Sequence, residues 1–272
     1  MRNFSVSPAE MFASVWRNRG LVVQMTKREV IGRYRGSVFG ILWSFFNPVL
    51  MLAVYTFVFS VVFQARWSAG SDSRTEFALV LFAGLIVFNL FSECVNRAPS
   101  LILGNVNFVK KVVFPLEILP WVAFGSALFH TLISLGVWLL FYLVFFGLPH
   151  WSVLLFPLAL LPLVLFTIGL TLFLASLGVY LRDVGQFIGI VITVLMFLSP
   201  IFYPLSAIPT DFQPLLMLNP LTIAIEQARD VMVWGRLPDI GQYFGYLGFC
   251  ILVAWLGFAW FQKTRKGFAD VL

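Results

Sequence analysis

The chain has 272 residues, of which 60% are hydrophobic and only 11% are charged, whereas soluble domains are about 25% charged. A soluble core of this size could not bury so much apolar surface, so the composition excludes an ordinary soluble protein and requires a bilayer. The formal net charge of +6 is interpreted as a signal of membrane orientation, so membrane lipid and not nucleic acid is the expected partner.

Runs without charged residues predict the membrane spans. Four such runs lie between Arg35 and Arg66, Glu117 and Arg182, Asp183 and Asp211, and Asp239 and Lys263. Because a span needs about 20 residues, the second run is long enough for two spans, which the Gly and Pro of residues 147–149 separate. A further apolar segment ends near Glu93. The sequence predicts an all-α integral membrane protein with six transmembrane helices near 38–63, 77–96, 118–146, 152–180, 185–203 and 242–262.

The positions of Lys and Arg predict the orientation of these helices. Fourteen of the eighteen basic residues fall in segments 1–37, 97–117, 181–184 and 263–272. Lys and Arg collect on the cytoplasmic side of membrane proteins, so both termini are expected inside. The chain is then one transmembrane domain over residues 1–272. Its parts are a cytoplasmic N-terminus (1–37), a six-helix bundle (38–262) and a cytoplasmic tail (263–272).

Two segments outside the spans have helical patterns of their own. Residues 8–33 alternate apolar and basic residues at helical spacing, which indicates an amphipathic helix on the inner membrane surface. Between the fifth and sixth spans, Asn219 and Pro220 are typical of an N-cap and a first helical residue. We expect two short helices there, packed against the outer end of the bundle. The apolar face of the second consists of Leu221, Ile225, Ala228 and Met232.

The sequence lacks the residue patterns of a catalytic or nucleotide-binding site. There is no phosphate-binding P-loop, no pair of His or Cys at metal spacing and no plausible Ser/His/Asp arrangement. Both cysteines, Cys94 and Cys250, fall in apolar segments, so they indicate neither a disulfide framework nor a metal site. We predict no metal and no cofactor in this chain. If the protein drives active transport, its energy source is another chain.

Glu93 is an ionisable residue near the end of a predicted span. One interpretation makes it a polar contact in a gate or pathway, or a step of a proton relay. The alternative is an interfacial carboxylate paired with Arg97 at i,i+4.

Aromatic residues are 17% of the chain, and some recur along the first span. Their faces suit the C–H surfaces of sugar rings, so they could line a translocation path. Alternatively, Phe faces lipid while Trp and Tyr belong to interfacial belts. The candidates for the path, together with Glu93, are Trp43, Phe46, Tyr55 and Phe59.

A basic run adjoins the first span at the inner leaflet. Arg and Lys suit phosphate, so this run could hold the diphosphate of a lipid-linked substrate, but it could equally anchor the chain to anionic lipid. The residues concerned are Lys27, Arg28, Arg33 and Arg35.

Glycines four residues apart allow close helix–helix approach, within the subunit or across a dimer. These pairs are Gly36/Gly40, Gly185/Gly189 and Gly241/Gly245.

Several blocks of sequence resemble one known family. They read TKREVIGRYRGSVFGILWSFFNPVLMLAVYTFVFSVVF (26–63), VKKVVFPLEILP (109–120), YLRDVGQ (180–186), SPIFYPLSAIP (199–209), LNPLTIAIEQARDV (218–231) and KGFADVL (266–272). Together they resemble the membrane subunits, or permeases, of ABC-type polysaccharide exporters, which carry O-antigen, capsule or teichoic-acid chains. The resemblance covers nearly the whole chain.

The resemblance implies a function and a set of partners. The chain is expected to be a homodimeric, multi-pass permease of the bacterial cytoplasmic membrane. Two copies would pair with two separate nucleotide-binding subunits, which bind ATP and Mg²⁺ and hydrolyse the ATP, so this chain itself is not an enzyme. The cargo would be a polysaccharide on a polyprenyl diphosphate, crossing between the subunits along the first and fifth spans.

The resemblance also implies roles for particular residues. The basic run would receive the diphosphate. Segment 97–117 would couple to the ATPase, with the second inside loop beside it, through Leu101, Phe108, Lys110, Lys111, Arg182 and Asp183. The short outer helices would form an external gate that includes Asn219, Pro220, Glu226 and Arg229.

Two other functions remain open at this stage. One is an ABC-type exporter of a drug or another lipid, which would share the fold but not the cargo. The other is a membrane enzyme acting on lipid-linked sugars. The scattered placement of acidic and basic residues disfavours the enzyme.

Overall fold

The computed structural model describes residues 5–62, 67, 74–110 and 114–272. These residues form helices joined by turns, without a β-strand among them, which confirms the all-α prediction. The α-helices of the described chain are Pro8–Arg17 (α1), Arg19–Tyr34 (α2), Trp43–Tyr55 (α3), Arg74–Arg97 (α4), Val106–Lys110 (α5), Leu119–Phe146 (α6), Phe156–Tyr180 (α7), Val184–Leu198 (α8), Gln213–Met217 (α9), Pro220–Arg229 (α10), Ile240–Thr264 (α11) and Phe268–Val271 (α12).

Five helical segments of the described residues are long and apolar enough to cross a membrane. They are Gly40–Phe59, Thr75–Ser100, Leu116–Phe146, Trp151–Tyr180 and Ile240–Val271. Each falls on a predicted span, and the protein is a multi-pass membrane protein. Phe63, the last residue of the first predicted span, lies outside the described residues.

The helix expected at 185–203 is shorter than predicted. α8 is apolar but has only 15 residues, a rise of about 22 Å, whereas the hydrocarbon core is about 30 Å thick. It ends at Leu198 because Ser199 takes an extended conformation, with φ of −95° and ψ of 146°. Pro200 follows it, and the residue before a proline avoids the helical region.

α4 is the centre of the bundle. It packs against α6, α7, α8 and α10. In its most apolar stretch 83% of the residues are buried, compared with 11% in that of Gly40–Phe59. α3 therefore presents most of its apolar surface outwards, whereas α4 is covered by protein along most of its length. Any polar side chain on α4 thus needs a partner from a neighbouring helix.

Close helix packing uses glycines other than the predicted pairs. A Cβ atom on Gly257 of α11 would lie 2.0 Å from the backbone oxygen of Gly169 of α7, so the two backbones touch there. By contrast, Gly189 and Gly245 have no heavy atom within 4 Å of the corresponding position. Of the predicted glycines, Gly185 faces another segment of the subunit, with its Cβ position 3.9 Å from Pro99, whereas Gly36 and Gly40 lie in positive-φ turns.

The amphipathic segment is two helices and not the single helix predicted over 8–33. α1 begins at the N-cap Ser7, whose hydroxyl accepts a hydrogen bond from the Glu10 backbone N–H. The chain bends at Asn18, where the backbone leaves the helical conformation (φ −103°, ψ 15°). After this bend, α2 packs along α6, and its basic residues therefore lie beside the bundle.

The α7–α11 contact predicts the effect of adding one methyl group. Changing Gly257 to Ala forces the backbones apart, and overpacking of this kind costs about 1–3 kcal/mol. Thermal unfolding of the purified chain in detergent should show a clearly lower midpoint. Gly248→Ala on the same helix is the control, because no heavy atom lies within 4 Å of its Cβ position. Equal midpoints for the two variants would contradict the close contact.

Candidate functional site

A cavity of about 570 Å³ opens between α2, α3, α4 and α6. Its wall combines charged, neutral polar and aromatic side chains, an unusual mixture for helices that are otherwise apolar. Three of the predicted path residues, Trp43, Tyr55 and Glu93, line it, and so does Arg33 of the predicted phosphate-binding run. The neutral polar groups of the wall include Ser44, Asn47, Asn89, Ser92, Thr131 and Ser134.

The charged end of the cavity is centred on the Glu93 carboxylate. Arg33 Nη2 lies 2.7 Å from Glu93 Oε1, and His130 Nδ1 lies 2.9 Å from Glu93 Oε2. His130 Nε2 is 2.9 Å from the Tyr34 hydroxyl. His130 thus connects the Glu93 carboxylate to the Tyr34 hydroxyl through its two ring nitrogens. Residues from α2, α4 and α6 thus meet at one carboxylate.

A second ion pair joins the same two helices one turn away. Arg97 Nη1 of α4 lies 2.5 Å from Glu29 Oε1 of α2. The order of charges along α2, Glu29 then Arg33, is matched by Arg97 and Glu93 in the reverse order along α4. The predicted i,i+4 pair between Glu93 and Arg97 is therefore wrong, because each finds its partner on the neighbouring helix.

The rest of the predicted phosphate-binding run is more dispersed. Lys27 and Arg28 are exposed on α2, and Arg35 is exposed just beyond its end. Arg28 lines a second cavity of about 370 Å³, between α2 and the segment that follows α4. Of the four basic residues, Arg33 alone lines the main cavity.

Two of the predicted path aromatics lie outside the main cavity wall. Phe46 is exposed on α3 and makes edge contacts with Phe39 and Trp43. Phe59 stacks on Phe202, with ring centroids 4.9 Å apart. These two rings contact other aromatic side chains instead of lining the cavity.

The predicted coupling segment is folded. After α4 it forms short helical turns and α5, with Leu101 buried and Phe108 stacked on Phe114 at 4.4 Å between centroids. Leu101 and Phe108 also line the second cavity. Lys110 is exposed at the end of α5, and Lys111 lies outside the described residues.

The second predicted coupling loop is short and open. Arg182 and Asp183 are both exposed between α7 and α8. A Cβ atom on the adjacent Gly185 would lie 3.9 Å from Pro99, which follows α4. The two predicted coupling segments thus meet at the same end of the bundle.

The predicted pair of short helices is confirmed as α9 and α10. The Asn219 side chain accepts a hydrogen bond from the Leu221 backbone N–H at 3.0 Å, and Pro220 is the first helical residue, as predicted. The predicted apolar face of α10 and the turn after it is fully buried. These helices lie at the end of the bundle where α4 begins.

Arg229 of α10 is fully buried and acts as a clamp between chain segments. Its guanidinium donates to the backbone oxygens of Val80 at 3.1 Å, Pro200 at 2.5 Å and Ile201 at 3.0 Å. It also pairs with Glu226 at 2.8 Å. Burial lowers the pKa of Arg229 to about 10, which leaves it protonated at neutral pH.

Sequence reasoning missed a polar junction at the opposite end. Glu117 Oε2 lies 2.5 Å from Arg265 Nη1, and the Ser14 hydroxyl donates to Glu117 Oε1 at 2.9 Å. This junction ties α1 to the start of α6 and the end of α11. Glu117 marked only the edge of a charge-free run, and its partners lie 103 and 148 residues away.

His130 was also missed as a site residue, although a signal existed. It and His150 are the two histidines within the long run that lacks Asp, Glu, Lys and Arg. A histidine inside a predicted span needs a polar partner. Among the described residues, no group of three His, Cys, Asp or Glu side chains is placed to hold a metal ion.

A bundle of apolar helices around a polar cavity defines a class: an integral membrane protein suited to moving a solute. The family follows from comparison with known proteins. The chain belongs to the ABC-2 type transporter family, whose model matches residues 20–233.

Named relatives are similar over almost their whole length. The O-antigen export system permease protein RfbA of Myxococcus xanthus is 31% identical over 258 residues, which cover 94% of this chain and 96% of that protein. A protein of the same name from Klebsiella pneumoniae is 28% identical, over 93% and 95% of the two chains. The polysialic acid transport protein KpsM of Escherichia coli is 26% identical, over 88% and 91%.

The Arg229 clamp predicts a large loss of stability on substitution. Arg229→Gln leaves the Val80, Pro200 and Ile201 oxygens without their common donor, and a buried acceptor left unsatisfied costs about 1–3 kcal/mol. Thermal unfolding in detergent should show the loss. Arg236→Gln, at an exposed position nearby, should unfold like the wild type. Similar midpoints for both variants would contradict the clamp.

Proposed function

We propose that this chain is the membrane subunit of an ATP-driven exporter that moves a polyprenyl-diphosphate-linked polysaccharide across the bacterial cytoplasmic membrane. The observation that carries the proposal is the near full-length similarity to proteins named for O-antigen export and polysialic acid transport. The cavity supports it, because aromatic rings and neutral polar groups suit sugars while Arg33 suits phosphate.

The proposed topology has six crossings with both termini inside. Its sixth crossing is α8 with the turns that follow it. The start of α8 lies near Pro99, past the end of α4. The residues after it, Pro200 and Ile201, share the Arg229 guanidinium with Val80, near the start of α4. The helical segment from Val80 to Pro99, which is most of α4 and the turn after it, rises about 29 Å, close to the thickness of a bilayer core. In the proposed topology, α8 and its turns cover that distance beside it.

The proposed partners are a second copy of the chain and two ATPase subunits. The exposed apolar faces of α3 and α8 would be covered by lipid and by the second copy. ATP and Mg²⁺ would bind to the ATPase subunits, which would contact the end of the bundle that carries Lys110, Arg182 and Asp183. All three side chains are exposed there, as a docking surface requires.

The proposed external gate is formed by the segment that contains α9 and α10. Arg229 and Glu226 would hold its base on α4, and Asn219 and Pro220 would begin its second helix. Exposed apolar side chains of the first part, Phe212, Leu215 and Leu218, leave that part free to move against lipid or the second copy.

The test uses a strain that lacks this gene. It measures the polysaccharide at the cell surface and the polyprenyl-linked polysaccharide retained inside the cell. Loss outside and accumulation inside are expected, and the wild-type gene should reverse both. Complementation with Arg33→Gln and Arg35→Gln together should lower export about tenfold or more, because a charge-assisted hydrogen bond is worth about 1.5–3 kcal/mol.

Immunoblots of the membrane fraction provide the control for insertion. Normal surface polysaccharide in the deletion strain, with no second exporter present, would contradict the proposed cargo. Equal loss of export and of inserted protein in the double variant would show that the arginines act as membrane anchors.

A further inference from the structure

The arginine best placed to bind a phosphate already holds an anion. Arg33 is the basic residue of its run that lines the main cavity, and its guanidinium is paired with Glu93. A carboxylate offers Arg the same pair of acceptor oxygens as a phosphate does. The carboxylate therefore occupies the position that a phosphate group would take.

We propose that Glu93 is a built-in occupant of an anion site centred on the Arg33 guanidinium, and that the diphosphate of the lipid-linked substrate displaces it from that guanidinium. This inference rests on the proposed function, because it assigns the regulation of the same site. His130, which also contacts the Tyr34 hydroxyl, becomes the group that retains Glu93 after the exchange. Glu93 becomes a competitor of the substrate and not a ligand for it.

The geometry allows such an exchange. The Arg33 side chain is 38% exposed and Glu93 is 21% exposed, so incoming phosphate can reach the guanidinium without opening a buried core. Two anions cannot share one guanidinium without strong repulsion. Glu93 does not become isolated when it leaves Arg33, because His130 still contacts both of its oxygens, at 2.9 and 3.1 Å.

The exchange would also change how α2 is held. Two ion pairs join α2 to α4, and displacement of Glu93 removes one of them, leaving the Glu29–Arg97 pair. α4 continues directly into the segment with Leu101 and Phe108. A bound diphosphate would thus loosen the attachment of α2 next to the segment proposed to contact the ATPase. Substrate binding in the cavity would in this way affect the ATPase contact.

Neighbouring groups fit the part of the substrate beyond the diphosphate. Asn47 and Asn89 line the cavity beside the charged cluster and can hydrogen-bond sugar hydroxyls. Trp43 and Tyr55 provide flat aromatic faces on the same wall. The first sugars after the diphosphate would lie here while Arg33 holds the phosphate.

The test measures binding of farnesyl diphosphate, inorganic pyrophosphate and farnesol to the purified full-length chain in detergent. Glu93→Gln removes the competing charge and keeps the side-chain shape, so it should bind both diphosphates about tenfold more tightly. Arg33→Gln should weaken the binding of both diphosphates at least tenfold. The variant that combines Arg33→Gln with Glu93→Gln should behave like Arg33→Gln alone. Farnesol binding should be the same in every variant.

Two further variants separate competition from general disruption. Glu29→Gln breaks the other ion pair between α2 and α4 and should leave diphosphate affinity unchanged. Glu93→Asp keeps the negative charge and should not tighten binding. Thermal unfolding of each variant confirms that it is folded at the temperature of the measurement.

The possible outcomes have distinct meanings. Affinity that is unchanged or lower in Glu93→Gln overturns the competition, and if Arg33→Gln still weakens binding, the proposed function stands without it. Tighter pyrophosphate binding in Glu93→Gln, with farnesyl diphosphate bound no better than farnesol, supports the anion site and counts against a lipid-linked cargo. Absence of diphosphate binding by Glu93→Gln overturns the anion site itself.

Discussion

Two ion pairs between α2 and α4 determine the arrangement at one end of the protein. Arg33 pairs with Glu93 and Glu29 pairs with Arg97. Each helix carries one acid and one base four residues apart, and the reverse order of charges fixes α2 antiparallel to α4. Partly exposed ion pairs stabilise a fold only modestly. Their main effect here is geometric, since they bring the N-terminal basic run to the wall of a membrane cavity.

α4 is held at its other end by a different interaction. The buried Arg229 guanidinium binds the carbonyl oxygen of Val80 and those of Pro200 and Ile201. A single cation thus fixes the start of α4, the segment after α8 and the base of α10. The cavity lies between these two attachments, against the central and most buried helix of the bundle. A rigid central helix with polar contacts at both ends suits a protein that must move other elements around it.

Local features of the fold could be predicted from the sequence. Charge-free runs located the apolar helices, and Asn219-Pro220 marked the start of α10 because capping depends on adjacent residues. The early end of α8 at Leu198 follows from Pro200, a signal that is also local. The bend at Asn18 was not predicted, since apolar and basic residues continue at helical spacing on both sides of it.

The site itself was only partly predictable. Arg33 was predicted for phosphate binding and Trp43, Tyr55 and Glu93 for the path, and all four line one cavity. That they share it could not be predicted, because it depends on the packing of distant helices. His130 is 37 residues from Glu93 in sequence, and no local pattern joins the two. The glycine pairs have the same limit: spacing shows that close approach is possible, and packing decides where it occurs. Gly169 and Gly257 meet without any such spacing.

The most direct test of this account exchanges the charges of the central ion pair. Arg33→Glu combined with Glu93→Arg keeps an ion pair between α2 and α4 but moves the cation to α4. The account predicts that this protein inserts into the membrane at a normal level while polyprenyl-linked polysaccharide stays inside the cell. The matching exchange, Glu29→Arg with Arg97→Glu, should retain export. Wild-type export by the first variant would contradict the account, because the pair would then serve only to join two helices.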